Sequence, residues 1–419
     1  MQFREHQLEN GLDVIAECNP AASVCAVGFF VKTGARDEDP ELSGVSHFLE
    51  HMVFKGTEHR GAADVNRELD EIGAQSNAYT SEEQTVYFLA VLPEYIERGI
   101  DLLADIMRPS LRTEDFEMEK QVILEEIAKY DDQPPYGGHE KAMALHFSNH
   151  PLSGSVLGTT DSVGALDRDQ MAEYWLRRYS PGNMTLVATG QIDFDQLVRQ
   201  AERLCGDWQP HDVQRATPRA APAAGDFELI HKPAASQQYM IQLTSGPAAA
   251  DPDRYAGRVM ATVFGDDVGG RMFWELVDSG KAEVAALEPM EYDGTGVFMS
   301  YLCSPPELAG QNQQAIERLL AELRDGGITT DELHQAQNKI CSHIVLGSER
   351  TMNRLFAVGS SWLQRHRYRA VAETVAAYKS VTTQDVAELL QRYPLCDWTT
   401  ITVGPMDNWP DEAGSKPES

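Results

Sequence analysis

The stretch Gly44-Val-Ser-His-Phe-Leu-Glu-His-Met-Val-Phe-Lys-Gly56 sets two histidines and a glutamate in the order H-x-x-E-H, as His47, Glu50 and His51. On a helix, positions i, i+3 and i+4 share one face. Two imidazoles four residues apart can then grip a single Zn²⁺, with the carboxylate beside them. This is the inverse of the H-E-x-x-H zinc motif. A chain of 419 residues with 12 His and 35 Glu would show the pattern through composition alone roughly 0.03 times. A metal site is therefore the stronger explanation. The flanks also predict a helix: Ser43 and Ser46 are candidate N-caps, and Val45, Leu49, Met52 and Val53 supply an apolar side.

Two histidines do not complete a catalytic zinc site, which takes three protein ligands and keeps a fourth position for water. The third must arrive from elsewhere in the chain. The best candidate region is residues 115–130, predicted to be a helix started by Thr113, with an acidic first turn and an apolar stripe of Met118, Val122 and Ile123. Glu119 and Glu126 lie two turns apart and share a face, whereas Glu125 points about 100° away, toward solvent. Spacing alone does not separate a functional E-x6-E pair from an exposed acidic helix.

The balance of 35 basic against 65 acidic residues leaves a formal charge of −30. That argues against nucleic acid or an anionic membrane surface as partner. No apolar run is long enough to span a bilayer. Residues 1–8 already read as strand, which leaves no room for a targeting peptide. Six scattered cysteines (Cys18, Cys25, Cys205, Cys303, Cys341 and Cys396) without C-x-x-C pairing read as reduced thiols, so a cytoplasmic location is expected.

The length fits two domains. A first domain is expected over 1–209, a Pro/Ala/Gly-rich linker over 210–225, a second domain over 226–405 and a polar tail over 406–419. Both domains follow the order strands, helix, strands, helices, final strand, without a residue-level repeat. The expected class is α+β. His334 and His343, nine apart, fit no ligand spacing and are read as surface or packing residues.

From residue 10 to residue 193 the chain resembles the pitrilysin-type zinc metallopeptidases, most closely the processing-peptidase branch. The likeness is carried by Asn10-Gly11-Leu12, Val31-Lys-Thr-Gly-Ala-Arg-Asp37, His47 to Thr57, Asn77-Ala-Tyr-Thr-Ser81, Glu119 to Ile127 and Tyr179-Ser-Pro-Gly-Asn183. The resemblance implies one Zn²⁺ held by His47, His51 and Glu126, with Glu50 as general base of a peptide-bond hydrolase. It assigns Glu119 a supporting place beside the site, although a solvated helix residue fits that position equally well. It also implies that Asn77, Ala78 and Tyr79 lie on an edge strand to which an extended peptide adds. Two related α/β-sandwich halves should form a clamshell around a chamber.

The second half departs from the family. Active single-subunit relatives carry an Arg and a Tyr seven residues apart after a glycine-rich segment. Counting from Arg271, those positions are Val277 and Val284, and neither side chain can donate a hydrogen bond. Arg271 and Tyr292 match other, structural positions. The resemblance therefore leaves three readings: a zinc-bearing subunit completed by a homologous partner in a heterodimer, a homo-oligomeric peptidase, or, least favoured, a structural subunit without activity.

Overall fold

Strand β3 (Cys25–Val31) is buried at all seven positions, as a strand between two cores must be. Its side chains alternate: Val27, Phe29 and Val31 enter one core, Ala26 and Phe30 the other. Around it a six-stranded sheet runs in the order β1-β2-β6-β3-β5-β4. The other members are β1 (Gln2–Gln7), β2 (Asp13–Cys18), β4 (Gln75–Thr80), β5 (Thr85–Val91) and β6 (Met184–Gly190). A second sheet of five strands runs β7-β11-β8-β10-β9. Its strands are β7 (Phe227–His231), β8 (Gln238–Gly246), β9 (Val284–Tyr292), β10 (Thr295–Ser304) and β11 (Thr399–Gly404). The computed structural model describes residues 1–218 and 225–410.

The two sheets repeat one topology. In the first, β2 pairs parallel with β6, then β3, β5 and β4 follow antiparallel. In the second, β7 pairs parallel with β11, then β8, β10 and β9 follow antiparallel. The shared order read from the sequence is thus a shared strand arrangement, with β1 an extra edge strand of the first sheet. The fold is α+β, with two related halves. All six cysteines are free thiols.

The compact units cut across the boundaries expected from the sequence. One comprises residues 1–129, 154–217 and 343–374; the other comprises 130–153, 218–342 and 375–419. The division at 217/218 falls inside the expected linker, of which residues 219–224 lie outside the described residues, as do 411–419 of the expected tail. The reason is an exchange of helices. The main core of the first sheet lies under α1 (Val45–Val53), α2 (Thr113–Asp132) and α4 (Arg168–Arg178). Helix α3 (Gly138–Phe147) leaves that half to cover β8 and β11 of the second sheet. In the second half, α5 (Arg254–Gly265) packs on β9, while α6 (Thr351–Arg365) covers β3 and β6 of the first sheet. Each returning helix carries a glycine where it meets the sheet. A Cβ on Gly359 would lie 2.4 Å from the Phe30 ring, and one on Gly138 would lie 2.7 Å from Ile241.

A buried ion pair fixes α6 on its sheet. Arg354 donates through Nε to Glu17 Oε1 at 2.8 Å and through Nη2 to Oε2, and the Tyr368 hydroxyl donates to Oε2 at 2.7 Å. Burial raises the Glu17 carboxyl, but Arg354 and Tyr368 outweigh it and hold the group below its ordinary range. Breaking such a pair leaves an uncompensated buried charge and costs about 3–5 kcal/mol. Arg354→Met should therefore destabilise the first unit by about that amount in urea unfolding. The double variant Glu17→Leu/Arg354→Met should regain most of the loss. Equal instability of single and double variants would refute the pair as the anchor.

Candidate functional site

Helix α1 holds His47, Glu50 and His51, with Val45, Phe48, Leu49, Met52 and Val53 buried on its core side. Its start differs from the sequence expectation: the N-cap is Gly44, and neither Ser43 nor Ser46 caps through its side chain. The cap comes from Glu38, whose Oε2 accepts from the Gly44 N–H and whose Oε1 accepts from the Ser46 N–H, both at 2.7 Å. Burial pushes the Glu38 carboxyl up to about 8 against the pull of these two N–H groups, so it caps the helix through hydrogen bonds. Gly44 sits at φ +92°, and a Cβ on it would lie 2.7 Å from the Leu157 carbonyl oxygen. Ser46 is instead buried, its hydroxyl 2.7 Å from the Tyr174 hydroxyl on α4.

Helix α2 starts at Thr113, as expected, but the expected apolar stripe is wrong in part. Met118 and Val122 are exposed, and the buried face is Phe116, Glu119, Ile123 and Ile127. Glu119 belongs to that face because two partners satisfy it. Its Oε1 lies 2.9 Å from His51 Nδ1, and its Oε2 lies 2.5 Å from Lys55 Nζ. Burial acts to raise the Glu119 carboxyl; Lys55 and His51 overcome it and hold it low. The solvated alternative for Glu119 does not hold. Glu125 is exposed, as expected.

Two turns further, Glu126 reaches both histidines. Its Oε2 lies 3.9 Å from His47 Nε2 and 3.7 Å from His51 Nε2. His47, His51 and Glu126 form the one group of three or more His, Cys, Asp or Glu among the described residues able to hold a metal ion, their donor atoms within 4.8 Å of one another. Ligand atoms on a tetrahedral zinc ion lie about 3.4 Å apart, so the three donors would draw together on binding the ion. The donor set, two imidazoles and a carboxylate, fits zinc. Burial first, then the neighbouring His51, lowers His47 to about 4, so its imidazole is neutral, as a ligand must be.

Glu50 is separate from this triad. The Thr80 hydroxyl donates to Glu50 Oε2 at 2.6 Å, and burial raises the carboxyl against that pull. Thr80 ends β4, the edge strand of the first sheet, so the strand bearing Asn77, Ala78 and Tyr79 runs beside α1. Asn77 is exposed, Ala78 is buried, and Tyr79 Oη accepts from Gln84 Nε2 at 2.8 Å. Sequence reasoning did not single out Thr80, Lys55 or Glu38. Thr80 and Lys55 lie inside stretches already quoted, but their partners are distant in sequence and leave no periodic signal.

In the second unit Arg271 forks onto Glu332 at 2.8 and 2.9 Å and donates to the Gly327 carbonyl. Tyr292 is buried. Val277 packs on the second core, and Val284 opens β9, 37 % exposed. His334 and His343 are both exposed. Among the described residues no helix is long and apolar enough to cross a membrane.

Comparison with known proteins bears on the whole chain. Residues 13–160 match the family described as insulinase, peptidase family M16, and residues 165–340 match the peptidase M16 inactive domain. A protein of Mycobacterium leprae named as an uncharacterized zinc protease is 30 % identical over 403 residues, covering 95 % of this chain and 91 % of its own. Another so named, from Bacillus subtilis, is 28 % identical over 410 residues, covering 97 % and 100 %. A solved protease from Helicobacter pylori shares the fold with a TM-score of 0.90 at 21 % identity, covering 96 % of this chain and 98 % of its own. With both halves matched in order and 30 % identity over nearly all of both chains, the chain belongs to the insulinase family of peptidases, family M16.

Proposed function

We propose that this chain is a zinc-dependent endopeptidase acting on extended peptides or unstructured protein segments. The observation that carries the reading is the convergence of His47, His51 and Glu126 with Glu50 one turn away on the same helix. His47 and His51 would hold the ion through Nε2 and Glu126 through its carboxylate. When bound, zinc supplies a Lewis acid that polarises a carbonyl and makes water acidic near neutral pH. Thr80 occupies Glu50 Oε2, so Oε1 is the atom that takes the proton from the attacking water. As the C–N bond breaks, the same carboxyl returns that proton to the leaving amine. The free edge of β4 at Asn77, Ala78 and Tyr79 would take the substrate as an added strand. Main-chain hydrogen bonds would then supply affinity with little demand on side-chain identity.

Elemental analysis should find one zinc per chain in the wild type and a marked loss in His51→Ala. Equal zinc in the two proteins would refute the ligand assignment. Glu50→Gln should keep zinc and peptide binding while kcat falls by about 10²–10⁴. Wild-type turnover by that variant at saturating substrate would exclude Glu50 as the base.

A second reading follows from Val277 and Val284, which offer no donor where active single-chain relatives carry an Arg and a Tyr. The isolated chain would then be a weak peptidase completed by a homologous subunit, a heterodimer being favoured over a homodimer. Each missing oxyanion donor typically costs about 10²–10³ in rate. A paralogous partner bearing the Arg/Tyr pair should raise kcat/KM by at least one such factor. Equal turnover with and without the partner would leave the chain self-sufficient.

A further inference from the structure

We propose that Lys55 is a positioning residue of the metal centre, fixing through Glu119 the ring of His51. The proposal rests on the reading of His47, His51 and Glu126 as metal ligands. Glu119 uses its two oxygens in two directions, Oε1 to His51 Nδ1 at 2.9 Å and Oε2 to Lys55 Nζ at 2.5 Å. A carboxylate held at one oxygen alone can still swivel. Held at both, it keeps Oε1 aimed at the ring. With Nδ1 donating to that oxygen, Nε2 presents its lone pair toward Glu126 and the centre of the donor set.

The plain alternative is a solvated lysine at a helix end, whose ion pair contributes little. Two observations weigh against it. The Glu119 side chain is only 6 % exposed, so its lysine pairs with a buried carboxylate rather than a surface one. The backbone that carries Lys55 is also tied down on both sides. Its carbonyl accepts from Arg112 Nη2 at 2.5 Å, and Arg112 Nε pairs with Asp115 in the first turn of α2. The next carbonyl, that of Gly56, accepts from both the N–H and the hydroxyl of Ser110, at 3.0 and 3.1 Å. The turn after α1 is thereby attached to the start of the helix that carries Glu119. The lysine and the carboxylate are brought together by the backbone, not by the reach of a flexible side chain.

Zinc titration against a chromophoric competing chelator tests this on wild type, Lys55→Met and Lys55→Arg. Loss of a group that orients a histidine ligand lowers metal affinity by about 10–100-fold, and that is the change expected for Lys55→Met. Lys55→Arg, which restores a cation donor, should recover most of it. Metal-free wild type and Lys55→Met should unfold within about 2 °C of each other, which places the effect in the metal centre rather than in the fold. Unchanged zinc affinity in Lys55→Met would overturn the proposal while leaving the ligand set intact. A metal-free Lys55→Met that has lost its melting transition would overturn it too, by making the lysine a fold residue. A wild type without zinc affinity would remove the ligand reading, and this proposal with it.

Discussion

A nine-residue helix is marginal by itself, and α1 keeps its geometry because both its ends are tied to distant parts of the chain. At the N-terminus the Glu38 carboxyl accepts from two backbone N–H groups. Behind it the Tyr174 hydroxyl bridges Ser46 and Thr33, and Arg178 donates to Thr33 and pairs with Asp37. Arg215 forks onto the same Asp37 from the segment that leaves the first unit. At the C-terminus, Lys55 and Gly56 are bound to α2 and the turn before it. The i, i+3, i+4 spacing alone sets angles around the helix axis. These ties set where the axis lies, which decides whether Glu126, 75 positions beyond His51 in the chain, can meet the histidines.

The topology is duplicated, yet among the described residues only the first half holds a cluster able to bind a metal ion. Helix α5 follows β8 as α1 follows β3, yet its twelve residues include no His, Cys, Asp or Glu. It answers a packing requirement: most of its residues are buried, and Gly265 approaches Leu287 so closely that a Cβ would lie 2.2 Å from its backbone nitrogen. A sheet with two apolar faces needs cover on both. The exchange of α3 and α6 provides the second cover in each unit. The Glu17–Arg354 pair makes the cover of the first sheet specific as well as apolar, since a buried charge tolerates no other register.

Local patterns were legible in the sequence and long-range partnerships were not. The H-x-x-E-H spacing and the start of α2 at Thr113 follow from periodicity and turn chemistry. Met118 and Val122 misled because apolar residues normally point inward, whereas Glu119 displaced them once Lys55 and His51 satisfied its charge. Ser43 and Ser46 misled because the cap arrives from Glu38, upstream of the helix and outside the N-cap window. The exchange of α3 and α6 was invisible for a different reason. An amphipathic pattern reports that a face is buried and is silent about which sheet buries it.

Three glutamates of one type have been given three different environments within two helices. Glu119 is buried, but a cation and an imidazole hold its carboxyl low, so it serves as a fixed acceptor. Glu126 is 42 % exposed on its side chain and opposite two imidazoles, which suits a ligand whose charge must meet a cation. Glu50 is half-buried with a single hydroxyl donor, and its carboxyl is raised, which suits a group that must gain and lose a proton. The surroundings of Glu119 and Glu50 push their carboxyls in opposite directions, a pattern that accompanies divided roles. The division comes from the partners, Lys55, the histidines and Thr80, and none of it is encoded in the glutamates themselves.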